Sequence, residues 1–499
     1  MKKIKDLLKY EYLWGYAAAC ICGCIFVLIS ASWTSPLFPY EYGYDSAWYT
    51  LMGRAVTKGF VPYRDYFDLK GPVFFFIEAL GQIIKTGRTG IFILECIAGA
   101  VSSVFIIKIC RLYLSKKGSF AVLFLYYLAY TSLLWGGNTC EEMMLPFSFA
   151  CIYLILSMLK TLTESGRAQG HETAGTVLGL SFAIIFLSKP TLASFIVSGV
   201  ILAGIFLIRT KNTGILVRFL LFFAAGACIV AVPVCAYFIF NGAFGDFIYS
   251  AFVFAFRRST DYYETFSLDW EKNLCFCYAG FISSVLIIRF DPKGRYRSLF
   301  LLISSLLSWL LLHLGTPYTY YFINELPVWV MLLIEAGLLF DRIVQEFDKK
   351  RFCSFLAVFA FIILICARYI NPAYDKLSEN LVYFRYPENT YYEGCLDAYD
   401  AIPFYERDDI YDLESGMIWY EITGELPTNK YPVNLPYFLH LDPKIKSDVL
   451  EYLDKKKPKW IISEKMADFD DIDTREYVFG HYELFRTTSA MEIYRRVEY

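Results

Sequence analysis

The sequence predicts an α-helical polytopic membrane protein of about eleven transmembrane helices, with helices lying along the outer face and a small α/β domain at the C-terminal end. Three observations predict it. Of 499 residues, 57% are hydrophobic, more than one soluble core would bury. The apolar residues fall in runs of membrane-crossing length separated by short charged segments, and no alternating strand pattern competes with them. The 129 residues from Asn371 to Tyr499 then turn polar, with 26 acids and 15 bases, which is enough for a separate domain. The chain therefore divides into a membrane domain over 1–370, carrying a first outer loop at 34–89, and an outer domain over 371–499.

The expected spans lie near 13–33, 90–109, 118–135, 143–160, 175–188, 192–208, 216–240, 275–290, 298–314, 319–340 and 353–370. The first follows Lys2, Lys3, Lys5 and Lys9, lacks a small-residue cleavage signature, and reads as a retained helix that starts inside. Pro72 to Ile84 is too short for an easy crossing and contains Glu78 and Gln82, so it reads as a helix on or dipping into the outer face. Parity supports this. Without a crossing there, the basic clusters at Lys108–Lys117, Lys160–Arg167, Arg209–Arg218, Arg289–Arg297 and Arg342–Arg351 all face the cytoplasm. The C-terminal domain is then extracytoplasmic. Pro190, Pro233 and Pro327 are expected to interrupt spans. In the outer domain, Lys444 to Leu453 reads as a helix and Trp460-Ile461-Ile462 as a buried strand. His481–Phe485 and Met491–Arg495 read as two more strands around a turn.

Composition excludes several classes of function. A net charge of −2 and the lack of a basic domain argue against nucleic acid as a partner. Nearly all of the 14 cysteines sit in or beside apolar runs and read as small buried hydrophobes rather than a disulfide framework. The four histidines show no zinc spacing.

Charges at the edge of a helical bundle are costly and point to function or pairing. The stretch Glu41 to Gly71 carries Asp45, Arg54, Arg64, Asp65, Asp68 and Lys70 among aromatic residues. Asp45 reads either as the cap of a helix starting at Ser46 or as a catalytic carboxylate. Lys70 with Arg64 suits a phosphate. Glu141-Glu142 stands at a helix start with nothing basic adjacent. Lys189, at a Ser-Lys-Pro break, needs a substrate phosphate or an acid as partner. Arg257 and Arg258 read as phosphate ligands or head-group anchors. Tyr320 and Tyr321, in the run Thr316 to Phe322, suit stacking on a sugar or an interfacial aromatic belt.

These residues carry a resemblance. Gly43-Tyr44-Asp45, Arg54-Ala55, the stretch Gly59 to Asp65 and Lys70-Gly71-Pro72 resemble the first outer loop of the polytopic GT-C glycosyltransferases. The likeness is to the bacterial members akin to protein O-mannosyltransferases and the lipid A aminoarabinose transferase, a family 39-like group. It continues through Glu141-Glu142, Lys189-Pro190, Tyr320-Tyr321-Phe322, Leu326-Pro327, Ser415-Gly416, Pro427 and Lys457 to Ile461. The family's usual Asp-Glu is Asp45-Ser46 here, its Lys-Pro-Pro is Lys70-Gly71-Pro72, and many relatives have His at Tyr320. The resemblance implies a GT-C fold and a polyprenyl-phosphate sugar as donor. It also implies transfer, with inversion, to a cell-envelope acceptor on the extracytoplasmic side of the cell membrane. It assigns Asp45 as catalytic carboxylate, with Lys70, Glu141 and Glu142 beside the chemistry. Arg64, Asp65, Lys189, Arg257, Arg258, Tyr320 and Tyr321 would bind substrate. No organic cofactor is implied, and a divalent metal stays open. The outer domain, with its surplus of acids, is expected to help select a basic or zwitterionic acceptor. A lipid-linked polysaccharide polymerase, a flippase or transporter, and a structural membrane protein are the competing readings. A transporter is disfavoured by the absence of internal symmetry.

Overall fold

The computed structural model describes residues 2–166, 169–261, 274–288, 291, 294–313, 318–345, 349–413, 417–432 and 435–497. Arg167, Arg289, Lys293, Thr316, Pro317, Ser415 and Gly416 lie outside the described residues. The chain folds as two compact units, one of 1–31, 92–236 and 259–381, the other of 32–91, 237–258 and 382–499.

The first unit is wholly helical among the described residues. A helix stands at each expected span, but among the described residues eight helices are long and apolar enough to cross a membrane: Leu13–Ser30, Arg88–Arg111, Cys140–Ser165, Pro190–Arg209, Thr213–Phe240, Arg295–Leu312, Thr319–Gln345 and Lys349–Arg385. His171–Phe186 and Cys275–Ile287 are shorter, and Lys116–Leu133 opens on two lysines. The helix from Lys349 runs through Pro372 to Arg385 without ending at residue 370.

Of the three prolines expected to break spans, one does. The helix ending at Phe186 stops before Lys189-Pro190. Pro233 sits inside the continuous helix Thr213–Phe240. Pro327 is the second residue of Leu326–Gln345, in the first turn, where its missing N–H has no intrahelical partner to lose. In the basic cluster at Arg289–Arg297, Arg297 has acidic partners. Its side chain is buried, bonded to Asp291 and, at 2.9 Å, to Glu335, while Arg342 reaches Asp291 at 2.6 Å.

The second unit contains the helices Tyr44–Thr57 and Pro72–Ile84 of the first loop. They cross so closely at Gly53 that a Cβ there would lie 2.6 Å from the Glu78 backbone. Its four-stranded sheet has the order β1-β2-β4-β3, with β1 Ile410–Asp412, β2 Trp460–Ser463, β3 Tyr482–Thr487 and β4 Glu492–Arg496. β1 runs parallel to β2, pairing Ile410 with Trp460, and the other two pairings are antiparallel. β1 and β2 are buried throughout, as the short apolar run Trp460-Ile461-Ile462 predicts for β2. Pro443–Lys456 covers the expected helix and ends at Lys457, in the left-handed region before Pro458. The first loop is part of this unit's core. Phe67 packs against Phe254 and Phe438 with centroids 5.1 and 5.3 Å away, and its N–H donates to the Lys430 carbonyl at 2.8 Å.

In the first unit, Gly175, Gly179 and Gly226 let two helices touch through their backbones. A Cβ at Gly175 would come within 2.5 Å of the Phe219 carbonyl oxygen, and one at Gly179 would strike that of Phe223. Small residues four apart serve this purpose in membranes. Gly179→Val should lower stability by about 1–3 kcal/mol through overpacking. A clear drop in the unfolding temperature of the purified protein in detergent is expected. An unchanged transition would show that the crossing is looser than described.

Candidate functional site

The expected site residues fall into two clusters, one in each unit. In the second unit the helix Tyr44–Thr57 is capped by Gly43, with no side-chain cap bond, so Asp45 is not the N-cap. It stands in the first turn, partly exposed, where the positive end of the helix favours a negative charge. Asp68 is the buried acid of this cluster. Its carboxylate accepts from the Trp48 indole N–H and, at 2.5 Å, from the Lys70 backbone N–H. Burial raises the pKa of Asp68 above the ordinary carboxylate value, Lys70 pulls it down, and the charge of Asp45 adds to the rise. Asp45 and Lys70 are thus both electrostatic neighbours of Asp68. The Lys70 ammonium lies 5.8 Å from the centre of the Tyr49 ring.

The segment from Val61 to Lys70 is tightly determined. Tyr63 is fully buried with a positive φ of 69°, a conformation that costs a non-glycine residue about 1–3 kcal/mol and persists only when its surroundings hold it. Its hydroxyl donates to the Lys70 carbonyl at 2.6 Å, and its N–H to the Tyr66 carbonyl at 2.7 Å. Asp65 accepts from the Val61 N–H at 2.6 Å. Arg64, expected to bind phosphate, instead grips Asp65 through two 2.9 Å bonds and donates to the Asn241 carbonyl at 3.1 Å. Burial raises the pKa of Asp65, but the bonds from Arg64 and Val61 together outweigh it, and the carboxyl is held below its usual range. Arg257 is exposed and 3.9 Å from Asp442, and Arg258 is half-buried. Arg54 makes a buried 2.7 Å pair with Glu421, whose pKa burial pushes up to about 7 against the opposing charges of Arg54 and Arg88.

In the first unit Glu141 and Glu142 open the helix Cys140–Ser165, and the Thr139 hydroxyl caps it by accepting from the Glu142 N–H. Glu141 is neutralised: Lys189 forms an ion pair with it and sits over the Tyr321 ring, 3.1 Å from the centroid. Glu142 accepts from the Tyr130 hydroxyl, and Glu95 accepts from the Asn138 backbone N–H. The second carboxylate oxygens of Glu141 and Glu142 are buried and take no hydrogen bond. Tyr320 and Tyr321 are 2% and 8% exposed, which fits a packed wall rather than an aromatic belt facing lipid. Among the described residues no group of three or more His, Cys, Asp or Glu side chains is placed to hold a metal ion.

A sequence profile described as "Dolichyl-phosphate-mannose-protein mannosyltransferase" matches residues 70–237, about a third of the chain, a span that includes Lys70, Glu141, Glu142 and Lys189 but not Asp45. No curated protein matches. Two solved structures have similar folds. One is ArnT from Cupriavidus metallidurans bound to undecaprenyl phosphate, with 10% identity and a TM-score of 0.60 over 98% of each chain. The other is the archaeal oligosaccharyltransferase AglB from Archaeoglobus fulgidus, in complex with an inhibitory peptide and a dolichol-phosphate. Its identity is 13% and its TM-score 0.52, over 98% of this chain and 74% of that one. The chain shares its fold with these two proteins. At these identities the likeness concerns the fold, and the site residues stand on their own geometry.

Sequence reasoning passed over Glu95, although an acid inside the apolar run Ile91 to Ala100 is itself a signal. It noted Asp68 without giving it a role. Asp68 makes the stability of this unit depend on pH with a definite sign. Because its pKa is raised on folding, its contribution is complete below the ordinary Asp value and fades as pH rises through the folded value. Asp68→Asn should remove that dependence. The unfolding temperatures of the parent and the variant, compared from acidic to neutral pH, should therefore lie closest in acid and separate toward neutral pH, the parent falling relative to the variant. A constant difference across the range would show that Asp68 does not take up a proton on folding.

Proposed function

We propose that the chain is an inverting glycosyltransferase, of the family 39-like kind, that moves a sugar from a polyprenyl phosphate to a cell-envelope acceptor. The reading is supported most by one observation: a partly exposed carboxylate, Asp45, at a helix N-terminus, and a cation, Lys70, presented by a rigid segment, both acting on the buried Asp68. The fold shared with a protein solved with bound undecaprenyl phosphate agrees with it. In the proposed step an acceptor hydroxyl attacks the anomeric carbon as the bond from that carbon to the phosphate oxygen breaks. Asp45 takes the hydroxyl proton, and the phosphate leaves with the bonding electrons. Lys70 meets the charge that gathers on it. Asp68 and Trp48 position the Lys70 backbone.

Asp45→Asn keeps the size of the side chain and any favourable place at the helix start. It should lower turnover about 10²–10⁴-fold while leaving donor binding nearly intact. The assay is release of polyprenyl phosphate and formation of glycosylated acceptor by purified protein in lipid, with donor binding measured separately. A folded variant turning over within about threefold of the parent is incompatible with a base at Asp45, and Glu142 is then the next carboxylate to substitute.

The proposal carries eleven crossings, with the N-terminus cytoplasmic and residues 35–89 and 371–499 outside. Ser115 and Glu483 are exposed positions on opposite sides of the membrane in this arrangement. In intact cells an impermeant thiol reagent should label Glu483→Cys and spare Ser115→Cys, in a background without reactive native cysteines. The reverse pattern would overturn the orientation.

A further inference from the structure

The second unit holds a pocket of about 340 Å³ that the proposed chemistry does not use. It opens between the helix Pro443–Lys456 and the segment leading into Tyr431. Tyr452 on the helix gives it ring surface, backed by the enclosed ring of Tyr411 on β1, with centroids 5.2 Å apart and planes inclined at 46°. Tyr431 donates its hydroxyl to Asp448 at 2.9 Å, which sets one carboxylate oxygen and leaves the other for a ligand. Asn429, on the same wall, is 2% exposed, and its side-chain oxygen is buried with no hydrogen-bond partner. That oxygen is enclosed by protein, so the polar atoms a ligand reaches are those of Asp448 and Lys456. The rim is basic. Lys455 is occupied by Glu451 one turn earlier, and Lys430 lies 3.7 Å from Asp246, whereas Lys456 forms no ion pair among the described residues.

An aromatic face, a carboxylate and a cation within one small cavity match the two faces of a pyranose: apolar C–H groups for the ring of Tyr452, hydroxyls for the polar atoms. We propose that this pocket binds one saccharide ring bearing an anionic group, with the ring against Tyr452 and the anion at Lys456. The inference rests on the transferase reading and deepens it: the acceptor is an acidic glycan, held at a site apart from the reacting carboxylate. The domain's overall surplus of acids does not describe this pocket, whose lysines outnumber its two acids.

The test is titration of the full chain in lipid nanodiscs with glucose 6-phosphate, glucuronate and glucose, followed by saturation-transfer NMR. The two acids carry the anion as phosphate or carboxylate, and their relative affinities separate these. Both acids should bind saturably and about tenfold more tightly than glucose, the factor one charge-assisted bond supplies. Lys456→Ala, at an exposed position, should bring the acids to the level of glucose, and Tyr452→Ala should weaken all three. Equal binding of acids and glucose by the parent, acid binding unchanged in Lys456→Ala, or no saturable binding would each overturn the inference. No donor is needed, so the two readings fail separately. Polyprenyl phosphate release by a parent that binds none of the probes removes the pocket alone. Probe binding through Lys456 without any release removes the transferase reading and leaves a saccharide site.

Discussion

A lysine ammonium at a break between apolar helices has to be held by an opposite charge, and much of the first unit's candidate site is arranged around doing so. Lys189 is 15% exposed and its partner Glu141 is fully enclosed. Removing one member of such a pair leaves a buried charge and costs about 3–5 kcal/mol. Glu141 is in turn fixed by its place at the start of a helix, capped by Thr139. Tyr130 holds Glu142, and Glu95 holds the Asn138 backbone immediately before that helix. Gly137 has a φ of 99° and lies against the Glu95 carboxylate, where a Cβ would come within 2.6 Å. A phosphate drawn to Lys189 therefore has to compete with a carboxylate already in place. That competition would make the lysine selective for a doubly charged or well-aligned anion.

The two acids of the first loop have different surroundings. Asp68 is enclosed and has donors on both oxygens, one from a side chain and one from the backbone. Such a carboxylate fixes the chain around it and has little capacity left for exchange with a substrate. Asp45 is in the first turn of the neighbouring helix, partly open to solvent and supported by the helix dipole. The same residue type is thus structural at one position and available for chemistry at the other. Burial decides which is which.

Much of the helical framework was legible because membrane spans announce themselves by length and apolarity. The strands at Trp460 and in the C-terminal hairpin were legible from short runs beside turn residues. β1 was missed, since Ile410-Tyr411-Asp412 is too short to show a period. The membership of the first loop in the α/β unit was also hidden. It depends on Phe67 meeting Phe254 and Phe438, residues far apart in sequence whose pairing no local pattern encodes. For the site, residue type and position pointed to Asp45, Lys70, Glu141 and Lys189, but partners did not follow from spacing. Lys189 was read as needing a substrate phosphate or an acid of the outer loops, and Arg64 with Lys70 as a site for phosphate. Each has a protein partner.

The strain at Tyr63 bears on how Lys70 can act. A residue with a large side chain does not hold a left-handed backbone unless several contacts insist on it. Here Phe75, Phe238 and Phe247 surround the ring, and its hydroxyl is bonded to the carbonyl of Lys70 itself. The Lys70 N–H is bonded to Asp68 on the other side. Both polar groups of the Lys70 backbone are therefore committed before any ligand arrives. The ammonium then swings from a fixed base. Fixing the backbone limits the region the ammonium can reach, and in the proposed step that region takes in the leaving phosphate. The cost of the strained tyrosine is met by the aromatic packing around it, at a distance from the charge it serves to place.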